Sequence, residues 1–165
     1  LKDSGVPMVF DADALYHITP DDMKDKQTEL VITPHVGEFS RLTGLAPDEI
    51  KEDPVGHALT LATDTRTIVH LKGSTSLTAL PDGRVILHTS GAPGMATAGS
   101  GDLLAGLIAS FIGQGHSPDN AVLIAAYYHG AAGQAAAEQL GNRSMIASDI
   151  LKNIPAILKK DEVLV

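Results

Sequence analysis

The stretch Gly91-Ala92-Pro93-Gly94-Met95-Ala96-Thr97-Ala98-Gly99-Ser100-Gly101-Asp102 gathers four glycines and one carboxylate into a dozen residues, directly ahead of the apolar run 103–112. Glycine lets the backbone take positive φ and come close to a ligand. The run that follows has the length and pattern of a helix start. The helix would begin at the ligand, with free N–H groups and the positive end of its dipole facing whatever sits over residues 99–102. That arrangement suits a phosphate. A carboxylate there repels its ligand unless it has chemical work, so Asp102 reads as a general base taking a proton from a hydroxyl that attacks a terminal phosphoryl group. The plainer reading is an Asp that caps an ordinary helix.

Other chemistry-bearing residues follow strand-like segments. Val31-Ile32-Thr33-Pro34-His35-Val36-Gly37-Glu38 sets polar groups directly after a buried strand, which in an open α/β sheet is the carboxyl edge where ligands bind. His35 and Glu38, one helical turn apart, could both face that crevice; as a cap and a helix-dipole partner they would be purely structural. Val69-His70-Leu71-Lys72-Gly73-Ser74-Thr75-Ser76 repeats the arrangement, with an ammonium, hydroxyls and backbone amides able to contact a nucleotide, or simply a solvated strand end. Asp11 and Asp13 close an earlier strand in the same way. Four such strand ends together describe a site. His17, His57, His70, His88, His116 and His129 have no metal-ligand spacing and read as structural or exposed. The segment Tyr127-Tyr128-His129-Gly130-Ala131-Ala132-Gly133 reads as small-residue helix packing.

These positions need a scaffold of alternating strands and helices. Apolar strands are expected at 7–10, 30–33 and 67–71, each covered on both faces as in a parallel sheet. Asp53-Pro54 and Ser117-Pro118 are N-cap and first-turn pairs opening helices, the second running over about 118–140 until Gly141. Segments 77–80 and 85–88 flank Pro81-Asp82-Gly83 as a hairpin. The pattern gives an α/β layered fold with an antiparallel appendage, and 165 residues that are 44% hydrophobic suit one domain spanning 1–165. A net charge of −8 without a basic cluster argues against nucleic-acid and anionic-membrane partners. No apolar run reaches membrane-span length. With no cysteine, disulfide and thiolate chemistry are excluded and the cytoplasm is the natural setting.

With these residues in view, the chain resembles the ADP- or ATP-dependent NAD(P)H-hydrate dehydratases, a branch of the ribokinase-like superfamily. The motifs that carry the resemblance, in the family's order, are Asp11-Ala12-Asp13-Ala14-Leu15, Thr33-Pro34-His35-Val36-Gly37-Glu38, Lys72-Gly73, and Gly94-Met95-Ala96-Thr97-Ala98-Gly99-Ser100-Gly101-Asp102-Leu103-Leu104-Ala105-Gly106. Ala92 stands where the family often has Asn. The resemblance implies a ribokinase-like three-layer α/β/α fold with a mostly parallel central sheet. It also implies that the chain is the carboxyl-terminal part of a longer enzyme, because members begin with a further half-sheet that has no counterpart here. By the same resemblance His35 and Asp102 touch hydrated NADH or NADPH, and Lys72, Gly73, Ser74, Thr75, Ser76, Gly99 and Gly101 hold the adenine nucleotide. Mg²⁺ accompanies ADP or ATP, no metal ligand is assigned, and the enzyme is a homo-oligomer, a tetramer as in the family. Two other functions stay open: a ribokinase-like vitamin or sugar kinase that keeps its phosphorylated product, and a nucleotide-binding module without activity.

Overall fold

The protein is described from a computed structural model over residues 5–162. Its sheet has five strands in the order β1 (Met8–Phe10), β2 (Leu30–Ile32), β3 (Ile68–Leu71), β4 (Ser76–Ala79) and β5 (Val85–His88). β1, β2 and β3 pair in parallel, β4 runs back, and β5 returns to the common direction. Four of the five carboxyl ends therefore lie along one edge, where the polar loops begin. The turn between β4 and β5 has the expected chemistry: Gly83 takes φ 96° and its N–H donates to Leu80 O at 3.1 Å.

Alternation along the strands sends side chains to two helical layers. Leu30, Ile32, Val69, Leu71, Leu77 and Ala79 face a core built with Leu15, Met23, Phe39, Ile50 and Leu61. These come from a 3-10 turn at Ala12–His17 and from α1 (Pro20–Lys24), α2 (Val36–Thr43), α3 (Pro47–Glu52) and α4 (Pro54–Thr65). On the other face Val31, Ile68 and Leu80 meet Leu104, Ile108 and Val122, from α5 (Ser100–Gly113) and α6 (Pro118–Leu140). α7 (Ala147–Glu162) closes this layer, placing Ile150 and Ile154 against Ala132 and Ala136.

The caps account for where the helices start. Asp53 accepts from Gly56 N–H at 2.8 Å ahead of Pro54. Ser117 precedes Pro118 but its hydroxyl donates to the Asp119 carboxylate instead of capping α6, so the proline alone sets that start. α6 ends at Gly141, with φ 78°.

Candidate active site

At the carboxyl edge the loops after β1, β2 and β3 converge on one charged cluster. Lys72 N–H donates to Pro34 O at 2.8 Å, and His35 and Lys72 form an isolated parallel bridge that pins the two loops together. The Lys72 ammonium lies 2.6 Å from Asp11 Oδ1 and 3.8 Å from Glu38 Oε2. All three side chains are largely buried, at 22%, 11% and 9% exposure for Lys72, Asp11 and Glu38. One ammonium thus faces two carboxylates.

His35 joins the cluster as the N-cap of α2. Its Nδ1 accepts from the N–H groups of Gly37 at 3.0 Å and Glu38 at 3.2 Å, while the Glu38 carboxylate accepts His35 N–H at 2.7 Å. This is a capping box with imidazole in the role of the usual hydroxyl. With Nδ1 accepting, the neutral ring carries its proton on Nε2, which lies 3.4 Å from Glu38 Oε1 on a largely exposed side chain. The structural and the ligand-facing readings of His35 are therefore compatible.

α5 starts over this cluster. Its N-cap is Gly99 in the left-handed conformation, φ 86°. Leu103 N–H is the first to close back on the helix, to Gly99 O at 3.0 Å, so the amides of Gly101 and Asp102 precede the ladder. A Cβ on Gly101 would sit 3.3 Å from Lys72 Nζ and 3.4 Å from Asp11 Oδ2. Positive φ in the glycine-rich stretch falls at Gly91 (137°) and Gly99 (86°), and Gly101 is instead required for close approach. Asp102 is the third helical residue and exposed, so it is not the N-cap of α5.

A cavity of about 830 Å³ opens beside the cluster, within the size range of small-molecule sites. His35, Lys72, Gly73, Ser74, Ser76 and Gly101 line it; Thr75, Gly99 and Asp102 do not. The cavity lining also holds three histidines, His70, His88 and His129, where the sequence suggested only structural or exposed rings. His70 Nδ1 is 2.9 Å from Thr78 Oγ1, which is 2.8 Å from His88 Nε2. His129 Nε2 lies 3.2 Å from Ser100 Oγ. Burial pushes His70 down to about 3 and His129 to about 4, and lowers His88 as well. The histidine wall is therefore neutral at physiological pH.

Strand alternation was the available signal for part of this wall, since His70 and Lys72 are two apart and share a face. His88 comes within reach of Thr78 only through the register, which pairs Thr78 with Ile86. The small residues of α6 also differ from expectation: a Cβ on Gly130 would meet Ser90, and one on Gly133 would meet Met95. They admit the loop over the cavity as well as a neighbouring helix.

The sequence profile of the NAD(P)H-hydrate dehydratase family matches residues 1–156. The chain belongs to this family. A relative from Moorella thermoacetica, the bifunctional NAD(P)H-hydrate repair enzyme Nnr, is 45% identical over 159 residues, which cover 95% of this chain and 30% of that protein. The crystal structure of the Bacillus subtilis ADP/ATP-dependent NAD(P)H-hydrate dehydratase, co-crystallised with ATP and Mg²⁺, matches with a TM-score of 0.86 and 30% identity, over 93% of this chain and 55% of that one. A ribokinase-like superfamily protein from Enterococcus faecalis matches with a TM-score of 0.75 and 25% identity, over 92% and 52%. The fold is accordingly ribokinase-like, and the chain spans about half the length of these solved structures and 30% of the Moorella relative. Within this dehydratase-family chain, no helix among the described residues is long and apolar enough to cross a membrane.

Proposed function

We propose that this chain supplies the nucleotide-binding and phosphoryl-transfer part of an enzyme that repairs hydrated NADH or NADPH at the expense of ADP or ATP. The observation that carries this reading is the meeting of Lys72 with the glycine-bounded start of α5, where a Cβ on Gly101 would already press on the ammonium at 3.3 Å. Open amides, the positive helix end and a cation face one place, a suitable seat for phosphates.

The hydrate carries a hydroxyl on the ring carbon beside the ring nitrogen, a poor leaving group. In this reading Asp102 accepts the hydroxyl proton as that oxygen attacks the terminal phosphoryl group, and the open amides at the start of α5, with Gly101 among them, stabilise the transferring charge, whereas Ser100 N–H is committed to Thr97 O at 3.2 Å. Phosphate then departs as the ring-nitrogen lone pair forms the C=N bond. Loss of a proton from the adjacent carbon restores the dihydronicotinamide, and the net result is dehydration. His35 holds the dinucleotide through its Nε2–H, while Lys72, Gly73, Ser74, Thr75 and Ser76 hold the nucleotide.

Among the described residues no three His, Asp or Glu side chains gather as a metal cage. Asp11 and Glu38 nevertheless leave one negative charge in excess beside Gly101. These carboxylates fit a Mg²⁺ that keeps most of its waters and is carried mainly on nucleotide phosphates. When bound, the ion neutralises charge on those phosphates.

The test supplies hydrated NADH or NADPH with ADP or ATP and Mg²⁺ to the enzyme and follows dihydronicotinamide absorbance. Recovery of absorbance supports the repair reading. A stable phosphorylated small molecule with the hydrate untouched would favour a vitamin or sugar kinase. Nucleotide binding without turnover would favour an inactive module. The reading extends to a cytoplasmic homo-oligomer, a tetramer by resemblance to the family, which sedimentation would test.

A further inference from the structure

The first turn of α5 carries no side-chain cap, because its N-cap is Gly99. The amide of the first helical residue, Ser100, is committed to Thr97 O and faces no ligand. Its hydroxyl has a different fate. Ser100 Oγ lies 3.2 Å from Nε2 of His129, a residue of α6, and the two residues are only 7% and 9% exposed.

The direction of that hydrogen bond follows from what surrounds the ring. Burial holds His129 down at about 4, so at neutral pH the imidazole has one proton to place. The Ser100 backbone favours a protonated ring, and a carbonyl can only accept. The nitrogen beside Ser100 is Nε2, which therefore carries the proton and donates to Oγ. The hydroxyl keeps its own proton. Among the described residues Ser100 Oγ has no second partner. A buried hydroxyl proton without an acceptor costs free energy. Ser100 lines the cavity together with Gly101 and Lys72, so the acceptor it lacks can come from a ligand seated there. An anionic oxygen over the start of α5 is such an acceptor.

We propose that Ser100 is a phosphate-binding residue, its hydroxyl donating to an oxygen of the nucleotide's phosphate chain, and that His129 is the positioning residue that keeps this hydroxyl a donor. The inference rests on the nucleotide reading above and deepens it, adding a side-chain donor at the one turn whose first amide is engaged elsewhere. Without the ring the hydroxyl is free to turn back to a nearby backbone carbonyl, as serines at helix ends readily do.

The experiment measures calorimetric affinities of the full chain for ADP and for inorganic pyrophosphate, and records ¹⁵N spectra of labelled histidine in the unsubstituted chain. The spectra should show His129 protonated on Nε2 and bare on Nδ1. Ser100→Ala should weaken both ligands by about tenfold, the scale of one hydrogen bond to a charged acceptor. His129→Leu should weaken them in the same direction, and His129→Gln, whose amide N–H can donate to Oγ in place of the ring, should restore them. Because His129 acts through Ser100, the double variant Ser100→Ala/His129→Leu should bind no more weakly than Ser100→Ala alone. A ring that merely props α5 would add its own loss in the double variant, and that additivity overturns the positioning role. A bare His129 Nε2, or unchanged affinities in a folded Ser100→Ala, overturns the proposal while leaving nucleotide binding intact. Failure of the unsubstituted chain to bind either ligand overturns the nucleotide reading itself, and this inference with it.

Discussion

Asp102 stands exposed on the first turn of α5, while the carboxylates behind it, Asp11 and Glu38, are buried against Lys72. Only Asp102 is therefore free to meet a substrate hydroxyl without first breaking an ion pair. Asp102→Asn keeps the shape and removes the proton acceptor, so nucleotide affinity should persist while turnover falls by about 10²–10⁴-fold. Near-normal turnover would return Asp102 to a merely helix-stabilising role. Gly101→Val tests the floor beneath the phosphates. Its Cβ would come within 3.3 Å of Lys72 Nζ, displacing the ammonium and blocking the amides. Nucleotide affinity by calorimetry should drop on the order of tenfold, equivalent to about 1.4 kcal/mol, in a chain that still folds. Unchanged affinity would put the phosphates elsewhere.

At the scale of elements, the contact between α6 and the loop at residues 90–95 decides how the cavity is roofed. A Cβ on Gly130 meets the backbone of Ser90, with O at 2.7 Å, whereas one on Gly133 meets only the flexible side chain of Met95. Gly130→Ala should cost about 1–3 kcal/mol by overpacking, and Gly133→Ala clearly less, because Met95 can swing away. Equal costs in denaturant titrations would contradict this account of the roof. The buried histidines of β3 and α6 add a pH signature. His70 and His129 fall from 6.5 in the unfolded chain to about 3 and about 4 in the folded one. Between those limits the unfolded state holds more protons, so their contribution to stability is complete above about pH 6.5 and is lost as pH falls through that window. Unfolding free energy should decline steadily from pH 7 to pH 4, and His129→Gln should flatten the decline.

For the molecule as a whole, Phe39 and Ile108 sit fully buried on opposite faces of the one sheet. If residues 1–165 fold as a single domain, Phe39→Ala and Ile108→Ala should each lower stability by about 2–5 kcal/mol. Each should also shift the same cooperative transition when far-UV dichroism and tyrosine fluorescence are followed together. Separate transitions for the two variants would divide the chain into independent layers.

Local patterns alone located the strands, the hairpin turn at Gly83, the Asp53 cap and the glycine-bounded start of α5, because each follows from short-range sterics, hydrogen bonding and hydrophobic period. They also located most of the residues on the carboxyl edge, since strand ends in a parallel sheet are brought together by the architecture itself. Local patterns did not reveal that Lys72 is shared by Asp11 and Glu38, because that ion pairing joins residues 61 positions apart. Nor did they show that Ser117 leaves α6 uncapped, that the left-handed residue is Gly99, or that Gly130 and Gly133 admit a loop. The histidine wall is the clearest case. His70, His88 and His129 look unrelated in sequence, and it takes the β3–β4–β5 register and the packing of α6 to set them around one cavity and strip them of water. Desolvation and cross-strand contact are properties of the packed molecule, so only the tertiary structure decided that these rings are neutral and share one wall.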